Sequence, residues 1–323
     1  MTAADVIDRV LEAPIITSFT NIGYAARSRL DNWTDLDAYD LSGRVMVLTG
    51  ATSGLGLAAA GQLARCGATV VLAGRNPDKT LRVRDELAAS TGNDTLETVI
   101  ADMGDLGAVR AAAAELASRH DRVDALLHNA GALSDTRQVA PDGTELTIAS
   151  QVVGPFLMTT LLLDQLRRAD GRVITMASGG LYSTGLRVEG LEMSEADYKG
   201  TEQYSRAKRA QVTLNEMWAE SEPEIAFHAL HPGWADTPGV EESLPTFRKI
   251  VGPLLRTPQQ GADTMVWLTA DPEPGARTGE FWLDRRVRSI HKLGSTRRTD
   301  TPEHRTQLWA WCVDKAGVDP ADV

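Results

Sequence analysis

Tyr204 and Lys208 close the segment Tyr204-Ser205-Arg206-Ala207-Lys208, and residues at that spacing lie on one face of a helix. A phenol beside an ammonium is a proton donor whose pKa can be drawn towards neutrality, which is what protonating a carbonyl oxygen without a metal requires. Of the five tyrosines, at 24, 39, 182, 198 and 204, only Tyr204 is followed by a lysine at this interval. Ser178 follows the apolar run Arg172–Met176 on its carboxyl side, where open α/β sheets place their ligands, and its hydroxyl can hold an oxygen near the phenol. The histidines at 120, 128, 228, 231, 291 and 304 have no paired ligand spacing, so no metal is expected. Cys66 and Cys312 likewise form no C-x-x-C, and a reducing cytoplasm is the expected setting.

A second group of residues suits phosphate. Val45–Leu48 runs straight into Thr49-Gly50-Ala51-Thr52-Ser53-Gly54-Leu55-Gly56, and a helical pattern follows over Leu57–Arg65. Glycines there allow a tight turn and a close backbone approach to a pyrophosphate, and the helix N-terminus favours its charge. Where an NAD site would place an acid on the ribose, after Val70-Val71-Leu72-Ala73-Gly74, this chain has Arg75, whose guanidinium fork suits a 2′-phosphate. NADP(H) is therefore the expected cofactor. Asp102, with Met103 beside it, is placed to accept from an adenine amino group, to cap a helix with Asp105 nearby, or to do both.

These residues need a scaffold that brings strand ends together. Candidate strands are Val45–Leu48, Thr69–Leu72, Glu97–Ile100, Ala125–His128, Arg172–Met176, Ile225–Leu230 and Glu280–Leu283, separated by longer helical patterns. Their continuous apolar character predicts burial on both faces, hence an α/β fold with a single doubly wound, Rossmann-type parallel sheet covered by helices on both sides. That catalytic domain is expected over residues 42–295, after an N-terminal extension, 1–41, and before a C-terminal tail or helix, 296–323. The extension carries Val6, Val10, Leu11, Ile15, Ile16, Phe19 and Ile22, broken at Pro14. It can anchor at a membrane interface or pack on the domain, and its acidic residues favour packing. Residues 238–257, with Val240, Leu244, Phe247, Ile250, Val251, Leu254 and Leu255, make either a lid over an apolar pocket or an amphipathic surface helix.

Composition removes other classes. Acids outnumber bases 44 to 33 in the 323 residues, which argues against a nucleic-acid-binding surface. Basic residues between Arg285 and Arg305 are diluted by Asp284, Asp300 and Glu303, which weakens a reading as a membrane-recruited partner. No stretch approaches the roughly 18 apolar residues of a membrane span, and no secretory signal is expected.

Taken in order, Thr49 to Gly56, His128-Asn129-Ala130-Gly131, Ser178, Tyr204 to Lys208 and His231-Pro232-Gly233 resemble the short-chain dehydrogenase/reductase family across roughly residues 44–290. The stretches His231 to Val240, Gln260 to Thr264 and Asp284-Arg285 look like its dehydrogenase/reductase member 12 branch. This resemblance implies that Gly50, Gly54 and Gly56 hold the pyrophosphate, that Asn129 and Gly131 shape the cofactor floor, and that Thr52, Ser53, Leu55 and Ala130 also bind the cofactor. Pro232, Gly233 and Thr237 would border the nicotinamide, and Ser178, Tyr204 and Lys208 would act on a small carbonyl/alcohol substrate, Lys208 also binding the ribose. Where the family usually has Asn in N-x-x-G, this chain has Gln151-Val152-Val153-Gly154. The Gln151 amide, one methylene longer, is expected to keep the link from the lysine through a shifted water, the alternatives being that it occupies the water's place or only caps or packs a helix. The apolar run Phe156 to Leu166 could pair with the Tyr204 helix of a second subunit, as in related dimers, or be core.

Overall fold

The computed structural model describes residues 3–243 and 245–323. Eight strands form one sheet: β1 (Val45–Thr49), β2 (Thr69–Gly74), β3 (Glu97–Ile100), β4 (Ala125–His128), β5 (Arg172–Met176), β6 (Ala226–Leu230), β7 (Glu280–Leu283) and β8 (Arg286–Val287). Their order is β3-β2-β1-β4-β5-β6-β7-β8, parallel except for the last pair. The seven strands expected from the apolar runs are all present. The eighth is an antiparallel return after Asp284 and Arg285, both of which adopt left-handed backbone (φ 55° and 54°).

Besides short helical turns, the helices are α1 (Ala3–Glu12), α2 (Ile15–Phe19), α3 (Asn21–Leu30), α4 (Gly54–Arg65), α5 (Pro77–Thr91), α6 (Leu106–Arg119), α7 (Gly154–Leu161), α8 (Gly200–Ser221), α9 (Pro238–Ser243), α10 (Pro245–Val251), α11 (Pro258–Ala270) and α12 (Pro302–Ala316). Strand side chains alternate between two layers. Val47, Val71, Val99, Leu126, Val173 and Phe227 meet α6, α7, α8 and α12. Met46, Leu48, Val70, Leu72, Leu127 and Ile174 meet α4 and α11. Burial on both faces explains the unbroken apolar runs.

α12 settles where the Phe156 run belongs. Trp309 packs on Phe156 and Trp218 with ring centroids 5.2 and 4.7 Å apart, and Leu308 and Cys312 are fully buried. Within one chain, then, this face is core. The run is also not one helix: α7 ends at Leu161, and a short helix follows over Leu163–Arg167.

The extension docks by charge more than by its apolar residues. Phe19 is buried, but Val6, Val10, Ile15, Ile16 and Ile22 are exposed. Arg27, fully buried, donates to Asp8 and Asp284 at 2.7 Å each and to the Ser18 carbonyl at 3.0 Å. Arg256, from the segment after α10, joins the same Asp284 at 2.5 and 2.9 Å. Arg288 reaches back to Asp8 and Arg286 to Asp31, so part of the late basic run is used inside the molecule. Among the described residues no helix is long and apolar enough to cross a membrane.

Candidate active site

The sheet changes direction between β1 and β4, and the crevice beyond their carboxyl ends is where this architecture takes a dinucleotide. Thr49 and Asn129 join the two strand ends. The Asn129 side chain donates to the carbonyls of Thr49 and Gly50 at 3.1 and 3.2 Å, and the backbone N–H groups of Asn129 and Ala130 donate to Thr49 Oγ1. Asn129 is thus a brace beneath the glycine loop.

The loop fits a pyrophosphate. Gly50 has φ +66°, and a Cβ there would lie 2.9 Å from Ala130 Cα. A Cβ on Gly56 would lie 2.2 Å from the Gly50 carbonyl oxygen. Only glycine permits this turn and this packing. Ser53 caps α4 without a side-chain hydrogen bond, so first-turn N–H groups remain for an anion. Thr52 lines the loop opposite Gly74, while the Leu55 side chain packs against Gly261 of α11, leaving its backbone to the loop.

Arg75 is exposed, and among the described residues no hydrogen bond or ion pair occupies its guanidinium. Asp102 Oδ1 accepts from the Gly104 N–H at 2.9 Å, and Asp105 alone caps α6. Of the two roles open to Asp102, the helix cap therefore belongs to its neighbour. The Met103 side chain is buried in the core, and its carbonyl lies against Gly154 at the start of α7. Across the site, Thr237 stands 3.4 Å from where a Gly54 Cβ would be. Pro232 and Gly233 lie beside Arg256, which donates to the Pro232 carbonyl at 3.2 Å.

The catalytic candidates converge. α8 carries Tyr204 and Lys208 on its sheet side, with Lys208 Nζ 5.1 Å from the Tyr204 ring centre. Ser178 ends the β5 loop beside the phenol and favours its ionised form. Burial nevertheless outweighs Ser178 and pushes the phenol up to about 12. Burial also lowers Lys208 to about 7. The pair is therefore set as a protonated phenol beside a lysine whose charge changes near neutrality.

That low value has a measurable consequence. An amine at about 7 in the fold and 10.5 when solvated costs stability most fully below pH 7, and the cost fades as pH rises towards 10.5. Lys208→Met is expected to raise the melting temperature at pH 6 and to lose that advantage by pH 10, even as activity is lost. Thermal melts across that range check it, and a pH-independent difference would contradict it.

The Gln151 side chain does not reach Lys208. Its Nε2 donates to the Ala132 carbonyl at 2.7 Å, and its amide lies against Gly131. What approaches the lysine is Gln211, three residues on along α8, which sequence reasoning passed over although that spacing keeps both on one face. Phe19 was also missed. It stands T-shaped to His231 at 4.3 Å and to Trp234 at 5.8 Å, and its ring approaches Gly179, next to Ser178. Trp234 in turn meets Phe247 of α10 at 5.0 Å, so an aromatic wall borders the catalytic end. No local signal marks Phe19, because these partners, Gly179, His231 and Trp234, lie far along the chain. Leu244, between α9 and α10, lies outside the described residues; Ile250 is exposed and Leu255 buried.

Comparison with known proteins places this geometry. Human Dehydrogenase/reductase SDR family member 12 is 35% identical over 278 residues, covering 85% of this chain and 87% of the relative. Mouse Retinol dehydrogenase 14 is 30% identical, covering 76% and 78%. A short chain dehydrogenase structure from Escherichia coli CFT073 complexed with NADPH is 26% identical, with TM-score 0.62 over 78% of this chain and 100% of that one. A solved Mycobacterium paratuberculosis protein aligns over 89% and 98%, with TM-score 0.69 and 26% identity. The short chain dehydrogenase profile itself matches residues 44–246, and the chain is accordingly a member of that oxidoreductase family, similar to its member 12 branch.

Proposed function

We propose that the protein interconverts a carbonyl and an alcohol on a fairly apolar small molecule, with NADP(H) as cofactor and Tyr204 as acid/base. The convergence of Ser178, Tyr204 and Lys208 at the carboxyl end of β5 carries this reading. When bound, the cofactor supplies or accepts a hydride. Gly50, Gly54, Gly56 and the free N-terminus of α4 would hold its pyrophosphate, and Arg75 its 2′-phosphate. Ser178 donates to the substrate oxygen and orients it. In reduction Tyr204 gives its proton to that oxygen; in oxidation it takes the proton back. Lys208, when charged, stabilises the phenolate so formed. The wall of Phe19, Trp234 and Phe247 excludes water and suits an apolar substrate.

Oxidation of NADPH by a panel of apolar aldehydes and ketones tests the reading. Turnover of at least one member is expected, and NADPH binding without turnover of any would overturn it in favour of a non-catalytic NADPH-binding protein. Arg75→Asp removes a charge-assisted contact and adds repulsion, so NADPH is expected to bind roughly 30-fold or more weakly while NADH is unaffected. Fluorescence titration reads both, and equal losses would end the role given to Arg75.

A further inference from the structure

Helix α7 begins with a proline at its second position, and this leaves an acceptor open. Pro155 has no N–H to give to the carbonyl four residues back, that of Gln151, within a π-turn over Ala149–Val153. Gln211 Nε2 donates to that carbonyl at 2.6 Å. The other end of the same amide, Oε1, accepts from Lys208 Nζ at 2.9 Å. Lys208 is 3% exposed, and its remaining acceptor is the Met176 carbonyl at 2.8 Å. One buried side chain thus spans the gap from the lysine to the π-turn.

We propose that Gln211 is a positioning residue, which fixes Lys208 by a direct link to the Gln151 carbonyl and so sets the charge Lys208 presents to Tyr204. This rests on the roles given above to Tyr204 and Lys208. A buried ammonium is tolerated only where acceptors replace water. Met176 offers a backbone carbonyl that no substitution removes, so Gln211 is the side chain that tunes the charged form. A primary amide also neither gains nor loses a proton near neutrality, so the link holds the lysine in place and does not conduct protons. Gln151 acts here through its backbone, which is why its side chain is free to turn to Ala132.

The groups around Lys208 leave this control unopposed. Tyr204 faces it from the same helix, with Ser178 beyond the phenol. Across a small cavity shared with Gln211, Gln151 and Asn215 lies His128, which burial holds neutral at about 3 and which bonds Thr159. Arg209 turns away to the carbonyls of Leu181 and Ile290. No carboxylate contributes to the lysine's shift, which comes from burial. Losing the Gln211 acceptor therefore lowers Lys208 further. A neutral amine stabilises a phenolate less, so at neutral pH fewer molecules present a charged lysine to Tyr204.

Three variants test this: Gln211→Leu, which keeps volume without polarity; Gln211→Glu, which adds a charge; and Gln211→Asn, which keeps the amide. The first readout needs no turnover. In protein labelled with ¹³C-lysine, the Lys208 resonance, assigned by its loss in Lys208→Met, gives the titration midpoint by NMR. Leu is expected to lower that midpoint by about one pH unit, a tenfold change in proton affinity, and Glu to raise it. The second readout is kcat/KM for alcohol oxidation at pH 7, within the range where Lys208 titrates. At pH 7 a one-unit fall takes the charged lysine from about one half to about one tenth of the molecules, so a roughly fivefold loss is expected in Leu, with recovery close to wild type in Asn. A merely structural role would lower the melting temperature of all three and leave the Lys208 midpoint unmoved, which would overturn the inference. Should Gln211→Leu fail to fold, Gln211→Glu and Gln211→Asn decide by the same readouts. Turnover surviving in Tyr204→Phe would sink the proposed chemistry. Turnover lost there, with a Lys208 midpoint indifferent to Gln211, would sink the present inference alone.

Discussion

Tyr204→Phe is expected to lower kcat by roughly 10²–10⁴-fold, the range that a positioned general acid supplies, while NADPH affinity stays near wild type. The substitution removes one oxygen and keeps the ring against which Lys208 lies at 5.1 Å. It leaves Ser178, whose hydroxyl orients an oxygen but is far too weak an acid to protonate it at neutral pH. Because the phenol sits at about 12, it enters the reductive reaction already protonated, so deprotonation cannot mask its loss. Steady-state rates on a verified carbonyl, beside a fluorescence titration with NADPH, measure both quantities. A variant with near-normal kcat would place the acid elsewhere.

The second large effect is on stability. Asp284 is 1% exposed and answers two buried guanidinium groups, Arg27 and Arg256, which are themselves fully or almost fully out of water. Removing one member of a buried ionic cluster leaves unpaired charge, at a cost of about 3–5 kcal/mol. Asp284→Ala adds the loss of a residue type that tolerates its left-handed backbone. We expect the variant to melt at least 5 °C lower or to be insoluble, with the extension the first segment to become sensitive to protease. A melting temperature within about 2 °C of wild type would show that the cluster contributes little.

What could be read from the sequence was what is local. The strand runs are apolar because each is covered on both faces, and the phosphate loop stands out because a strand precedes it and a helix follows. Tyr204 and Lys208 show themselves by their interval. Asp284 could be noticed only as part of a family-like dipeptide; its partner Arg27 is 257 positions away. β8 escaped because two residues after a left-handed turn carry no pattern. Gln151 drew attention as the departure from a familiar asparagine, yet the side chain that meets Lys208 belongs to Gln211. That could be seen only with Pro155 and the π-turn in place, since it depends on which backbone carbonyl lacks a donor.

The cover provided by α12 also has a place in time. Phe156, Trp218 and Phe227 form a continuous aromatic face that Leu308 and Trp309 close. A ribosome adds residues at about 5–20 per second, and N-terminal parts fold first, so this face waits roughly 5–20 s for its cover after Trp218 is made. During that interval the nascent chain presents tryptophan and phenylalanine on the back of the helix that carries Tyr204 and Lys208. Chaperone capture should therefore concentrate on chains from which Phe227 has emerged and Leu308 has not, and emergence of α12 from the ribosome should be the event that releases them.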